Sequence, residues 1–261
     1  MKKTFIIILT IACLFSCENI DSDKGIVVSN KKMQNFLIAV YDKDKNGILS
    51  EDEANDVTEI SVSSSLEPID DLENFPNLEI LYVPAGEFTE LDVSKNTKLK
   101  EMFCFQNKLT TLDLSNNTEL ERLVCYDGEL ITLDLSNHPK FSYLWCEDNK
   151  LTSINLSNNP SLSIVLCGYN KLENINLNNS LNLGHLYCTH NKLTTIDVES
   201  CTELETLYCP ANLLTELNVS NNVKLQTLNC EANLNLDTLY LKTGQTLQRL
   251  SKDDHTTIVY L

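Results

Sequence analysis

The sequence predicts a mainly β repeat solenoid of about ten coils, closed at its N-terminal end by a small α-helical cap. Three observations predict it. Seven cysteines, Cys104, Cys125, Cys146, Cys167, Cys188, Cys209 and Cys230, follow one another at intervals of 21 residues. Leucines recur in a fixed spacing around each cysteine, and that spacing appears a second time within the same interval. Ahead of the series, residues 42–53 gather carboxylates, an asparagine and a glycine between two stretches of helical character.

The chain opens on Met1, Lys2 and Lys3, followed by an apolar run from Phe5 to Leu14 and then Phe15, Ser16 and Cys17. A bilayer-spanning helix takes about 20 apolar residues, so this shorter run reads as the core of an export signal over residues 1–16. The residues Leu14 to Cys17 resemble the lipobox of bacterial lipoproteins, although Phe15 stands where a small or aliphatic residue is usual. The resemblance implies acylation of Cys17, with the lipid as the only membrane contact. Residues 17–30 form a polar tether beginning Glu18, Asn19, Ile20, Asp21. Acidic residues behind a lipidated cysteine resemble the surface-export signal of Bacteroidetes-type lipoproteins, which implies the outer membrane and the cell surface.

The cap is expected over residues 31–56. Phe36, Leu37, Val40 and Tyr41 recur at helical spacing before the acidic loop, and residues 51–57 suit a short exit helix. The loop matches the EF-hand pattern at every position. Asp42, Asp44 and Asn46 offer side-chain oxygens, Ile48 its carbonyl, Ser50 a direct or water-mediated contact, and Glu53 a bidentate closing carboxylate. Gly47 permits the sharp turn. That donor set suits one structural Ca2+; a metal-free polar turn between two helices is the alternative.

The coils are expected over residues 57–261. Leu99, Met102 and Cys104 are followed by Leu120, Leu123 and Cys125, then by Phe141, Leu144 and Cys146, with an asparagine three residues beyond most cysteines. The second half of each unit repeats the motif, as in Leu109, Leu112, Leu114 and Asn117. Written LxxLxCxxNxLxxLDLxxNxx, the unit resembles the 21-residue nested leucine-rich repeats of bacteria called the IRREKO class. Gly86 and Gly128 depart from it in asparagine slots, and one extra residue near Leu234 shifts the last unit. The leucines must stack on neighbouring coils, because one unit cannot bury its own apolar side. At about 4.8 Å per coil the stack is on the order of 45 Å long, ending in a strand over residues 256–261. The seven cysteines take leucine-equivalent inward positions and read as small core hydrophobes rather than as disulfides or zinc ligands.

Between the second leucine and the cysteine of each unit, alternation along the strand turns one side chain outward. Down the coils that position holds Tyr82, Phe103, Val124, Trp145, Leu166, Tyr187, Tyr208 and Asn229, with Phe105, Tyr126, Tyr143 and Tyr169 nearby. The equivalent position of the other half holds Asp92, Asp113, Asp134, Asn155, Asn176, Asp197 and Asn218. The asymmetry marks the aromatic face for recognition, since exposed rings give large contact area at low entropic cost; mutual support of the rings within the sheet is the other reading. With Asp127, Glu147 and Asp148 beside it, the stripe suits a protein surface or a glycan. The family resemblance implies protein interaction or adhesion to host or neighbouring cells; an envelope scaffold without external ligand is the remaining alternative.

Composition excludes a class of partner. With 37 acidic against 20 basic residues and a net charge of −17, the chain repels a phosphate backbone, so no nucleic-acid partner is expected. No enzyme is expected either. Of the 4 histidines, His138 fills an asparagine turn slot, His255 lies in the C-terminal segment, and His185 and His190 border the aromatic face; a regularly repeated Asp/Asn row gives each carboxylate the same environment, whereas an acid and a base need different ones.

Overall fold

A computed structural model describes residues 25–62, 71–86 and 88–261. The export segment 1–16, Cys17 and the tether up to residue 24 lie outside the described residues.

Helix α1, Lys31–Tyr41, starts at Asn30, whose side chain accepts from the backbone N–H groups of Lys32 and Met33. It turns Met33 and Leu37 into the core. Those two are one turn apart and set the buried stripe, so Val40, expected on it, is exposed. Tyr41 fastens the cap to the first coil by donating its hydroxyl proton to the Glu59 carbonyl at 2.5 Å. Burial, helped by the Glu59 carboxylate, pushes that phenol up to about 12. Helix α2, Glu51–Asn55, is opened by a capping box in which Ser50 and Glu53 each accept from the other's end of the turn.

The solenoid follows. Ten parallel strands of three residues each run from Glu59–Ser61 to Arg249–Ser251 and form one continuous sheet, one strand per coil. Register is strict: Met102 lies beside Leu81 and Leu123, and Leu144 beside Leu123 and Val165. The middle residue of each strand points inward, and Leu81, Met102, Leu123, Leu144, Val165, Leu186 and Leu207 have no exposed surface. Truncating one such leucine to alanine costs about 2–5 kcal/mol, because the coils on both sides lose a packing partner. Opposite this sheet the second half of the coils pairs less completely, as two three-stranded sheets. One joins Thr132–Asp134, Ser153–Asn155 and Asn174–Asn176; the other joins Glu216–Asn218, Thr238–Leu241 and the C-terminal Thr257–Tyr260.

The extra residue announced by the sequence is expelled rather than absorbed. Thr227 pairs with Arg249, so that coil is one residue longer than the 21-residue step between Thr206 and Thr227, and Leu234 protrudes with 81% of its surface exposed.

Two ladders of buried asparagines tie the turns. Asn191 donates from Nδ2 to the carbonyls of Cys167 at 3.0 Å and Cys188 at 3.1 Å, while its Oδ1 accepts from the Leu172 N–H at 2.9 Å. Asn170 and Asn212 repeat the pattern one coil away on either side. Gly128 interrupts it because a Cβ there would lie 2.7 Å from the Asn149 Oδ1. In the second ladder His138 replaces asparagine, and its two ring nitrogens each lie 3.0 Å from a carbonyl oxygen, those of Ser136 and Leu114. Cys201 fills another slot of that ladder and is also buried.

The cysteine column is internal. All eight cysteines among the described residues are buried and unpaired. Burial in apolar surroundings pushes the Cys104 and Cys230 thiols up to about 12 and those of Cys125, Cys146, Cys188 and Cys209 well above their ordinary value.

Candidate binding face and metal loop

The outward face of the ten-stranded sheet is built by the strand alternation and by the turn that follows each cysteine. Two residues past each cysteine, and past Val83 in the equivalent slot, the backbone enters the left-handed region, at Ala85, Gln106, Asp127, Asp148, Tyr169, His190, Ala211 and Ala232, with φ between 52° and 58°. The chain therefore presents three outward columns: the residue before the cysteine, the residue after it, and the left-handed residue.

Those columns bring most of the expected aromatics together. Tyr82 packs on Phe103 with centroids 5.6 Å apart and on Phe105 at 5.9 Å. Phe105 stacks on Tyr126 at 4.8 Å with planes 5° apart, and Tyr126 stacks on Trp145 at 4.4 Å. The five rings form one cluster. Beyond it Leu166 breaks the series, and Tyr187 and Tyr208 make a second stack at 5.4 Å. Tyr143 and Tyr169 join neither cluster. Tyr143 lies under the Arg122 guanidinium, whose carbon is 5.1 Å from the ring centre, and burial raises its phenol above the ordinary value. Tyr169, 49% exposed, stacks on His190 at 4.7 Å.

One position in the outward column departs from expectation. Val124 is buried, with 6% of its surface exposed, because the larger Phe103 and Trp145 flank it in register and a valine between them sinks below the rings.

Polar groups pin the cluster. The Trp145 indole N–H donates to Glu147 Oε2 at 2.8 Å, and Gln106 Nε2 donates to Asp127 Oδ2 at 3.2 Å. Sequence reading placed Glu147, Asp127 and Asp148 near the rings but did not find the indole bond, the Arg122 contact or the His190 stack. Aligning as columns of their own the residue after each cysteine, the next one, and the residue three before each cysteine, which holds Arg122 and Tyr143, is the signal that finds them.

In the cap, Asp42, Asp44 and Glu53 converge, each offering a carboxylate oxygen within 4.8 Å of the others. Gly47 turns at φ 84° and Lys45 at φ 61°. Glu53 is buried with 9% exposed, and it accepts from the backbone N–H groups of Lys43 at 2.7 Å and Ser50 at 3.0 Å. Those donors hold its carboxyl down at about 2. Two of the other expected ligands bond to the carboxylates themselves, Asn46 Nδ2 donating to Asp44 Oδ2 at 3.0 Å and Ser50 Oγ to Glu53 Oε2 at 2.9 Å. Asn46 Oδ1 accepts from the Ile48 N–H, and Ser50 Oγ accepts from the Glu53 backbone N–H.

Neither a protein-family model nor a curated protein matches the sequence. Solved structures do. YopM of Yersinia pestis, a leucine-rich effector protein, superposes with a TM-score of 0.61 at 25% identity, over 77% of this chain and 59% of that one. YopM of Yersinia enterocolitica WA-314 gives 0.58 at 20% identity over 76% and 42%, and the leucine-rich repeat domain of APL1B gives 0.54 at 20% over 78% and 67%. The chain thus spans about half the length of the two YopM structures it matches. The fold is a leucine-rich-repeat β-solenoid.

Proposed function

We propose that this chain is a non-enzymatic scaffold that binds a protein partner through the outward face of its ten-stranded sheet, from a lipid anchor on the outer membrane surface. One observation carries the binding reading: five aromatic rings, from Tyr82 to Trp145, are gathered into a single cluster on the solvent side of a sheet whose inner side is fully packed. Tyr82 is exposed and the other four rings half-buried, and a solvent-facing aromatic patch on a rigid support is what a protein interface uses as its anchor. Leucine-rich neighbours among solved structures support a protein ligand. An array of proteins and glycans probed with residues 18–261 tests it. Binding to protein spots that is lost in the W145A/Y187A double variant supports the reading; retention on glycan spots alone replaces it with sugar stacking on the same rings, and an unchanged profile turns it into an envelope scaffold.

The anchor rests on Leu14 to Cys17. Metabolic labelling with a radioactive fatty acid is expected to mark the wild type and not C17S, and protease shaving of intact cells tests exposure at the surface.

The loop at 42–53 supports a second proposal, one structural Ca2+. The donor chemistry fits: three carboxylates converge with no lysine or arginine ion-paired to them among the described residues. Asp42, Asp44 and Glu53 would hold the ion, which supplies positive charge that cancels their mutual repulsion. An affinity of about 0.1–1 mM, as in extracellular modules, is expected in calorimetry and is lost in E53Q.

A further inference from the structure

We propose that the part of the face around Trp145 takes a cationic side chain, the guanidinium of arginine before the ammonium of lysine, from a basic segment of the partner protein. The inference rests on the reading of this face as a protein-binding surface and names the chemistry of its partner.

Ring faces carry negative potential, and a cation placed over them is held most strongly by tryptophan. Trp145 is the 1 tryptophan of the chain and ends the stack that begins at Phe105. Its indole proton is committed to Glu147 Oε2, which fixes that carboxylate at the edge of the stack. The turns add Asp127 and Asp148, both exposed and both in the left-handed residue that follows the ring-bearing column. None of Asp127, Glu147 and Asp148 is in an ion pair among the described residues.

Several other carboxylates of the solenoid do have cationic partners. Lys100 pairs with Glu79, Lys140 with Glu119, Lys150 with Glu129 and Lys224 with Glu203, each lysine reaching a carboxylate 21 residues earlier. The row that includes Asp92, Asp113 and Asp134 is also occupied, because each accepts from the backbone N–H of a serine two residues on, which lowers its pKa. Asp127 and Glu147 accept only from the neutral Gln106 amide and Trp145 indole, the three carboxylates have no cationic partner among the described residues, and a net charge of −17 steers positive partners toward them.

The sheet already contains the combination in miniature. Arg122 lies over the Tyr143 ring at 5.1 Å with the Glu101 carboxylate 3.9 Å from its Nε, on the same outward side. Arginine suits such a site because its planar, weakly hydrated guanidinium stacks on a ring while donating to carboxylates at its edge. A phosphate or sulfate is repelled there, and a neutral sugar gains from the rings but not from the carboxylates.

The single tryptophan makes the site its own reporter. Trp145 emission is recorded while the purified protein is titrated with a glycine-arginine heptapeptide and, in parallel, with the same peptide carrying neutral citrulline. Saturable change with the arginine peptide is expected, at least about fivefold weaker with citrulline, as the loss of about 1 kcal/mol of cation binding implies. Added salt and the variants D127N and D148N are expected to weaken the arginine response; asparagine tolerates the left-handed turn, so both variants fold. Equal affinity for the two peptides, insensitivity to salt, or no response of Trp145 to either overturns the cationic proposal. The parent reading is tested apart from it: array binding lost in W145A while both peptides stay silent keeps the protein-binding face and removes its cationic chemistry, whereas array binding indifferent to W145A removes the face itself.

Discussion

Removing Asn149 should cost more than removing Asn191, although both are buried and occupy the same ladder. Asn191→Ala takes donors from Cys167 and Cys188, but the Cys167 carbonyl keeps Asn170 Nδ2 at 3.2 Å and the Cys188 carbonyl keeps Asn212 Nδ2 at 3.0 Å. Only the buried Leu172 N–H loses its acceptor. Asn149→Ala leaves the Leu130 N–H without its acceptor and also leaves the Cys125 carbonyl bare, because Asn149 is its only donor among the described residues. The neighbour that should share that load is Gly128. A buried polar group left unsatisfied costs about 1–3 kcal/mol, so N191A is expected to lose about 1–3 kcal/mol and N149A about 2–6 kcal/mol. Urea unfolding followed by far-UV circular dichroism and by Trp145 emission measures both. The double variant G128N/N149A is expected to recover part of the loss, since removing the Asn149 side chain clears the contact at 2.7 Å and the new asparagine can donate to Cys125 as Asn107 donates to Cys104 at 2.9 Å. Costs for N149A and N191A within about 0.5 kcal/mol of each other, the range of neutral surface changes, would refute the reasoning.

Glu53 has its carboxyl held near 2 against an ordinary 4.5, so the stability it gives is complete above the ordinary value and disappears as pH falls toward the folded one. Wild-type protein is expected to lose unfolding free energy between about pH 5 and about pH 3, with a visibly smaller loss in E53Q. His138→Asn restores the ladder residue and is expected to keep or raise the melting temperature, while His138→Leu removes the cross-coil contact to the Leu114 carbonyl, which keeps only the Asn117 N–H at 2.9 Å, and lowers it. Ellman's reagent is expected to find none of the eight described cysteines reactive in the native protein and all of them in denaturant. A rapidly titrating thiol assigned by mass spectrometry to Cys104, Cys146 or Cys188 would contradict their burial.

Much of this was legible in the residue order because the repeat is its own alignment. A single period of 21 fixed the inward leucines, the buried cysteines and the outward aromatic column together. The extra residue near Leu234 was visible as a slip in that period, and the strand register reproduces it. What the pattern could not carry is what depends on neighbours of unequal size. Val124 occupies an outward position by alternation, yet it is buried because of the rings on either side. Val40 has helical spacing, but Met33 and Leu37 define the packed stripe. Side-chain pairing, such as Trp145 with Glu147 within one coil or Arg122 with Tyr143 across two, depends on the residues that occupy the outward positions, which the consensus does not encode. The metal loop divides in the same way: its carboxylates are brought together by the turn at Gly47, whereas Asn46 and Ser50 bond to those carboxylates and to backbone groups within the loop.

The expelled Leu234 bears on how such a chain changes length. A strand ladder normally punishes a one-residue insertion, since a slip reverses which side chains face the core. Here the turn ejects the surplus and the strands on both sides keep their faces, with Leu228 and Leu250 still adjacent. Insertions confined to turns therefore leave the outward columns intact, and whole coils can be added or deleted while every remaining side chain keeps its inward or outward facing. The aromatic face is in this sense extensible: its reach is set by the number of units in the gene, and its chemistry by three positions within each unit.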